Sequence, residues 1–192
     1  MSAITGYPVM ADRTIREEEY YWIWQGRTGL SLYHPASEQI SFASDFPNDT
    51  GKYHIIKCIE KCRTQPGIWA ASGNACVVHL QHESMKMKCI QEIRIPDACQ
   101  VRVLHEDDQG NLWIGTENAI YQYSISDGNM RRIHKDTGAI NGIAISPDKA
   151  IYYITETPEF SCLPPDGQVL SIHKGENYSS IIISPDTKIW TA

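Results

Sequence analysis

Asp108-Gln109-Gly110-Asn111-Leu112-Trp113-Ile114-Gly115-Thr116 is an acidic turn with a glycine, followed by an apolar run that carries one tryptophan. Glu117-Asn118-Ala119 interrupts the run, and Ile120-Tyr121-Gln122-Tyr123-Ser124 reads as the next strand. The stretch is therefore two short strands joined and preceded by turns.

The same frame recurs along the chain. Upstream, Gln65-Pro66-Gly67-Ile68-Trp69-Ala70-Ala71-Ser72 leads through a Gly73-Asn74 turn to Cys76-Val77-Val78-His79-Leu80. Further upstream, Trp22-Ile23-Trp24-Gln25 leads through Gly26–Gly29 to Leu30-Ser31-Leu32-Tyr33. Downstream, Ser146-Pro147-Asp148-Lys149-Ala150-Ile151-Tyr152-Tyr153 and Ser184-Pro185-Asp186-Thr187-Lys188-Ile189-Trp190-Thr191 share one register. The anchors Trp22, Trp69, Trp113, Tyr152 and Trp190 are separated by 47, 44, 39 and 38 residues. A period near 40 with several short strands per unit is the signature of a β-propeller. Helical repeats are excluded, because no stretch of about 12 residues shows apolar spacing with a period of 3.6.

The expected fold is all-β: a partial propeller of about four blades, each a small antiparallel sheet. Residues 1–14 read as an N-terminal tail and residues 15–192 as the propeller segment. A single such sheet cannot bury both faces, and stacking around an axis solves this. An aromatic at a fixed strand position then fills the wedge between blades, at about 1.5–3 kcal/mol for each buried side chain. Trp69, Trp113 and Trp190 are assigned to that packing. Both ends of the chain fall in mid-repeat when counted from the anchors, which fits either a segment of a longer propeller or a small ring. An incomplete ring exposes blade edges, and unpaired edges recruit partners. Self-association, or pairing with further blades, is therefore expected.

Composition narrows the function. Hydrophobic residues are 42% and charged residues 21%, an ordinary globular balance. The net charge is −6, and the longest basic run is Arg131-Arg132, so no face is prepared for nucleic acid. The apolar runs are strand-length, so no membrane span is expected. Met1–Asp12 lacks a basic segment followed by an apolar one and does not read as a signal peptide. Six cysteines form no C-x-x-C pair and are read as buried free thiols. His79 and His82 have no recognised metal-ligand spacing. Glu17-Glu18-Glu19 reads as a solvated approach to a strand. Phe160–Asp166, flanked by Pro158, Pro164 and Pro165, reads as a long surface loop. No Gly-x-Ser-x-Gly or phosphate-cradling glycine run is present, and no catalytic set is legible.

Val101–Tyr123 resembles the two-component regulator propeller repeat: an acidic residue, Gly, Asn, Leu-Trp-Ile-Gly-Thr, a turn, and an apolar-x-x-Tyr close. The first two repeats follow this loosely, with Trp24 and Ala71 where the family has Gly115, and the last two carry Ser-Pro-Asp instead. The resemblance implies a sensor segment of a bacterial hybrid histidine kinase, placed in the periplasm and responsive to a glycan-type ligand. Any kinase activity would lie outside this chain. Ile140–Asp148 with Ile151–Glu156 is similar to gluconolactonase and regucalcin-type propellers. That similarity implies a divalent cation held partly by Asn141.

Equivalent positions on the blades should meet at the axis. Counting 11 residues back from the anchors gives Cys58, Arg102, Asn141 and Ser179. A guanidinium repels a cation, which disfavours the lactonase alternative and its metal. The same set suits a polar ligand. Arg102 offers a fork of donors for carboxylate or acidic sugar oxygens. Asn141 and Ser179 offer neutral hydrogen bonds, and Trp24, two residues beyond Trp22, could stack on a sugar face. Arg102, Asn141, Ser179 and Trp24 are the candidate ligand-binding residues, and no cofactor is called for.

Overall fold

The computed structural model describes residues 13–26, 29–42, 56–72, 75–96, 100–135, 137–157, 159–175, 178, 180–184 and 188–191. Every regular element among them is a strand, apart from a 3₁₀ turn at Pro96. Blade 1 consists of β1 (Arg13–Glu17), β2 (Tyr20–Gln25), β3 (Gly29–His34) and β4 (Gln39–Phe42). Blade 2 consists of β5 (Ile56–Lys61), β6 (Ile68–Ser72), β7 (Cys76–Glu83) and β8 (Lys86–Arg94). Blade 3 consists of β9 (Val101–Glu106), β10 (Asn111–Thr116), β11 (Ala119–Ser124) and β12 (Met130–Lys135). Blade 4 consists of β13 (Ile140–Ile145), β14 (Ile151–Thr155), β15 (Glu159–Leu163) and β16 (Leu170–Lys174). β17 (Ile181–Ile183) and β18 (Ile189–Thr191) form a two-stranded fifth sheet. All pairings are antiparallel between sequential strands, so each sheet is a meander.

All five anchors lie on the second strand of their sheet. The first sheet has all four strands, contrary to the mid-repeat start expected from the anchors. An inner strand precedes the Trp22 strand, and Arg13 pairs with Trp24. Arg13 and Thr14 thus belong to the blade and not to a tail.

The core is four apolar layers, one at each blade junction. Trp22, Ile15 and Leu32 of blade 1 pack on Ile59, Ile68 and Val78 of blade 2. Trp69 and Val77 of blade 2 meet Leu112, Ile114 and Tyr121 of blade 3. Trp113 and Ile120 of blade 3 meet Ile143, Ile151 and Tyr153 of blade 4. Tyr152 and Phe160 of blade 4 meet Ile181 and Ile189 of the fifth sheet. The anchor side of one blade therefore faces the back of the next. Trp190 departs from its assignment: it is 63% exposed, because no described residue packs on its side of the fifth sheet.

Turn chemistry explains how drifted repeats keep one register. In blade 3, Asp107 Oδ1 accepts from the backbone N–H groups of Gln109 and Asn111, and Gly110 takes the positive φ of 75° that the turn needs. In blade 4, Ser146 Oγ accepts from Ala150 N at 3.0 Å, and Lys149 sits at φ 67°. A hydroxyl replaces the carboxylate, and a lysine tolerates the glycine position.

Three further expectations change. Glu159–Leu163 is strand β15, with Phe160, Cys162 and Leu163 buried, so the surface-loop reading fails there. Pro164 and Pro165 follow the strand without entering it. Glu17 is not a solvated residue. Its carboxylate accepts from Trp22 Nε1 at 2.7 Å and from Gly67 N at 2.5 Å, tying blade 1 to blade 2. Among the described cysteines, Cys62, Cys76 and Cys162 are buried thiols, Cys58 is half-buried and Cys89 is exposed on β8.

Candidate functional site

The inner strands β1, β5, β9, β13 and β17 face the axis, and successive ones lie side by side. Each of β5, β9 and β13 carries a bulge near its start. The pairing skips Lys57 between Ile56 and Cys58, Arg102 between Val101 and Val103, and Asn141 between Ile140 and Gly142. A bulged residue leaves the ladder and is re-aimed, a common device beside binding sites. Equivalent bulges place these three residues at one mouth of the axis.

Two of the four sequence candidates meet directly there. Arg102 Nη2 donates to Asn141 Oδ1 at 2.9 Å, across the blade 3–blade 4 junction. Glu156 Oε2, from the loop after β14, lies 4.0 Å from Arg102 Nη1. The Arg102 side chain as a whole is one-third exposed. Asn141 Oδ1 is the atom a divalent cation would need, and here it is turned to a cation of the protein itself.

Trp24 lies at the same mouth in a supporting position. Its indole packs on the blade 1–blade 2 core, and Nε1 donates to Ile56 O at 3.0 Å, next to the Lys57 bulge. Ser179 lies outside the described residues. Cys58, reached by counting 11 residues from Trp69, is replaced by exposed Lys57. Glu60 pairs with Trp69 across nine residues, whereas His105 pairs with Trp113 across eight, so the β5–β6 connection is one residue longer. The correction adds a second cation to the mouth. Cys58 instead sits in a dry setting that pushes its thiol up to about 12.

A second polar cluster lies further along the same strands and was not anticipated. The Arg13 guanidinium of blade 1 pairs with the carboxylate of Glu60 on blade 2, and His105 Nδ1 of blade 3 lies 3.9 Å from Glu60 Oε1. Arg63 Nη1 pairs with Asp108 Oδ1 at 2.8 Å beside them. Burial pushes the Glu60 carboxyl above its ordinary range, against the pull of Arg13. Burial, followed by the field of Arg63, lowers the His105 imidazole. The register could have revealed this cluster, because Glu60 and His105 are the direct cross-strand partners of Trp69 and Trp113. An open cleft of about 1340 Å³ runs past this second cluster; it is lined by Arg13, Glu60 and His105, by Asn141, and by Gln122 and Arg131 of the outer strands of blade 3.

Carboxylates also lock the anchors. Trp69 Nε1 donates to Glu106 Oε2 at 2.7 Å across the blade 2–blade 3 junction, and Trp113 Nε1 donates to Asp107 Oδ2 at 2.8 Å. Burial raises the Asp107 carboxyl, but the bonds from Trp113 and Asn111 outweigh it and leave it below its ordinary value. His79 stacks on Trp69 and His82 on Tyr20, so both histidines belong to the packing. No helix among the described residues is long and apolar enough to cross a membrane.

Residues 95–118 match the protein family described as Two component regulator propeller. The fold is similar to the extracellular domain of BT4673 from B. thetaiotaomicron, described in one crystal structure as a one-component system (TM-score 0.75, 17% identity) and in another as a hybrid two-component system (TM-score 0.76, 18% identity). Both alignments cover 100% of this chain but 27% of that domain, so the chain spans about a quarter of its length. The WD40 β-propeller domain of Doa1 is also similar, with a TM-score of 0.68 and 12% identity, over 93% of this chain and 58% of that one. No curated protein sequence matches. At such identities the structural likeness establishes the fold alone, and the family model matches one repeat of the chain, residues 95–118. The chain has the fold of a β-propeller segment, and one of its repeats is similar to the two-component regulator propeller repeat.

Proposed function

We propose that this chain is a ligand-binding part of an extracytoplasmic sensor propeller of the two-component kind, and that its ligand is an oligosaccharide bearing carboxylate groups. The observation that carries this reading is the Arg102–Asn141 pair at the axial mouth, formed by equivalent bulges on neighbouring inner strands. Lys57 at the third bulge gives the mouth two cations, opposed by Glu156. A carboxylate would displace Glu156 and accept from the guanidinium, while Asn141 offers its amide N–H₂ to a sugar hydroxyl. The description of BT4673 as an extracellular domain of a signalling system supports the same compartment and role.

The test is a thermal-shift and calorimetry series with uronic-acid oligosaccharides, neutral oligosaccharides, and divalent cations with and without chelator. Binding stabilises the folded protein by mass action. Acidic oligosaccharides are expected to bind, and Arg102→Ala is expected to weaken them by ~10–100-fold, the worth of one charge-assisted hydrogen bond. Stabilisation by a cation alone, reversed by chelator and dependent on Asn141, would overturn the sensor reading in favour of a lactonase-like site. Absence of binding by every sugar would overturn the assigned ligand.

A further inference from the structure

The junction of blades 3 and 4 is built differently from the one before it. Glu106 pairs with Leu112, one residue before the blade 3 anchor, and its carboxylate reaches the Trp69 indole of blade 2. The equivalent place in blade 4, opposite Ile151, is held by Ile145, which offers no side-chain acceptor. Trp113 Nε1 takes Asp107 of its own blade instead. The open cleft lies along this junction, between two four-stranded blades. One wall is a single row across blade 3: His105 pairs with Trp113, Trp113 with Gln122 and Gln122 with Arg131, so all four side chains share one face. The other wall carries Ile145 and Lys149 of blade 4.

The charges along this cleft do not balance. Glu60 pairs with Arg13, Asp108 pairs with Arg63, and Asp107 is taken up by Trp113 and Asn111. Arg131 Nη2 donates to the neutral amide oxygen of Gln122 at 2.7 Å. Neither Arg131 nor Lys149 pairs with a carboxylate among the described residues, and both are exposed, one on each wall. They stand so in a chain whose net charge is −6. Lys149 also keeps a φ of 67° at the turn position that blade 3 gives to Gly110.

We infer that this cleft is a second subsite for the acidic oligosaccharide, in which a ligand carboxylate sits between Arg131 of blade 3 and Lys149 of blade 4. The inference rests on the ligand proposed above and adds a length requirement to it. Asn141 belongs to both places, since it bonds Arg102 at the mouth and lines the cleft. The path from Arg102 to His105 is about 10 Å along β9, and from His105 to Arg131 it is three strand spacings, about 14 Å. A disaccharide at the mouth falls short of Arg131. A longer chain passes His105 and Gln122, whose nitrogens suit its hydroxyls, and brings a carboxylate to the two cations.

Calorimetry with uronic-acid disaccharide and octasaccharide, and with a neutral octasaccharide, tests this on the parent and on Arg102→Ala, Arg131→Gln and Lys149→Gly. Arg131 and Lys149 are exposed, and glycine suits the backbone at 149, so both cleft variants should melt as the parent does. Each is expected to weaken the acidic octasaccharide by about tenfold, the worth of one charge-assisted bond, and to leave the disaccharide unchanged. Arg102→Ala should weaken both lengths. Added salt should narrow the gap between the parent and the cleft variants, because the lost interaction is ionic. Octasaccharide binding that is untouched by both cleft variants, yet weakened by Arg102→Ala, overturns the second subsite and leaves the mouth as the whole site. An equal loss with the neutral octasaccharide overturns the role of charge. Failure of acidic sugars of either length to bind overturns the ligand itself, and the subsite with it.

Discussion

Replacing Glu106 with Ala should destabilise this protein more than any other single loss of a carboxylate. Glu106 is fully buried and accepts three hydrogen bonds: from Trp69 Nε1 at 2.7 Å, Thr64 N at 2.9 Å and Thr64 Oγ1 at 2.6 Å. The Thr64 hydroxyl can rotate to another acceptor, but the indole and backbone N–H groups cannot. Two donors are stranded, at about 1–3 kcal/mol each, so the loss should be about 2–6 kcal/mol. Asp107→Ala is the matched control. It also removes an indole acceptor, at 2.8 Å, but from a turn that water reaches. Its loss should be about 1–2 kcal/mol, since solvent takes over the bonds. Glu106→Gln keeps the shape and one acceptor oxygen and should fall between them. Urea unfolding followed by tryptophan fluorescence and far-ultraviolet circular dichroism measures all three, and coincident transitions license the free energies. A loss below about 1 kcal/mol for Glu106→Ala, or one no larger than that of Asp107→Ala, would refute the claim that this carboxylate locks blades 2 and 3.

Gly115→Ala should cost about 1–3 kcal/mol in the same assay, because a Cβ there would lie 2.6 Å from Val103 Cγ1 and 2.7 Å from Ile140 Cγ2 at the packed blade 3–blade 4 junction; an unchanged midpoint would contradict that packing. His105 should make stability fall with acidification. Its folded imidazole takes a proton less readily than the unfolded value of 6.5, so its contribution is full above pH 6.5 and is lost as pH falls below it. His105→Gln should flatten that slope. Glu60 acts with the opposite sign above pH 4.5, because its raised folded carboxyl takes up a proton before the unfolded one at 4.5. Alkylation of the native protein near pH 8, read by peptide mass spectrometry, should mark exposed Cys89 well before Cys58, Cys62, Cys76 or Cys162. Equal labelling at Cys62, whose thiol is raised by burial, would show that the blade 2–blade 3 junction opens readily.

Of the mouth, Arg102 and Asn141 were legible in the sequence, because equivalent residues of a repeat meet at the axis. Lys57 was not, because one added residue between β5 and β6 moved the count onto Cys58. In the Arg13–Glu60–His105 cluster, the register against Trp69 and Trp113 marks Glu60 and His105, but the reach of Arg13 from its place opposite Trp24 to Glu60 on the next blade is encoded in no spacing.

The tryptophan period, the turn residues and the strand-length apolar runs determined a propeller by themselves, since each acts within a few residues and recurs in every blade. Tertiary structure alone decided which surfaces are dry. Trp69 and Trp190 hold the same place in their repeats, yet one is fully buried and the other 63% exposed. Glu17 and Glu106 resemble the solvated acids around them until an indole, of its own blade for Glu17 and of the adjoining blade for Glu106, and a backbone N–H from the adjoining blade's repeat come within bonding distance. Glu159–Leu163, bracketed by prolines, becomes a strand because Ile151–Ile154 offers it a ladder and a core to cover. Burial and hydrogen-bond partners depend on what lies across a junction, about 40 residues away in the chain, and local patterning carries no record of it.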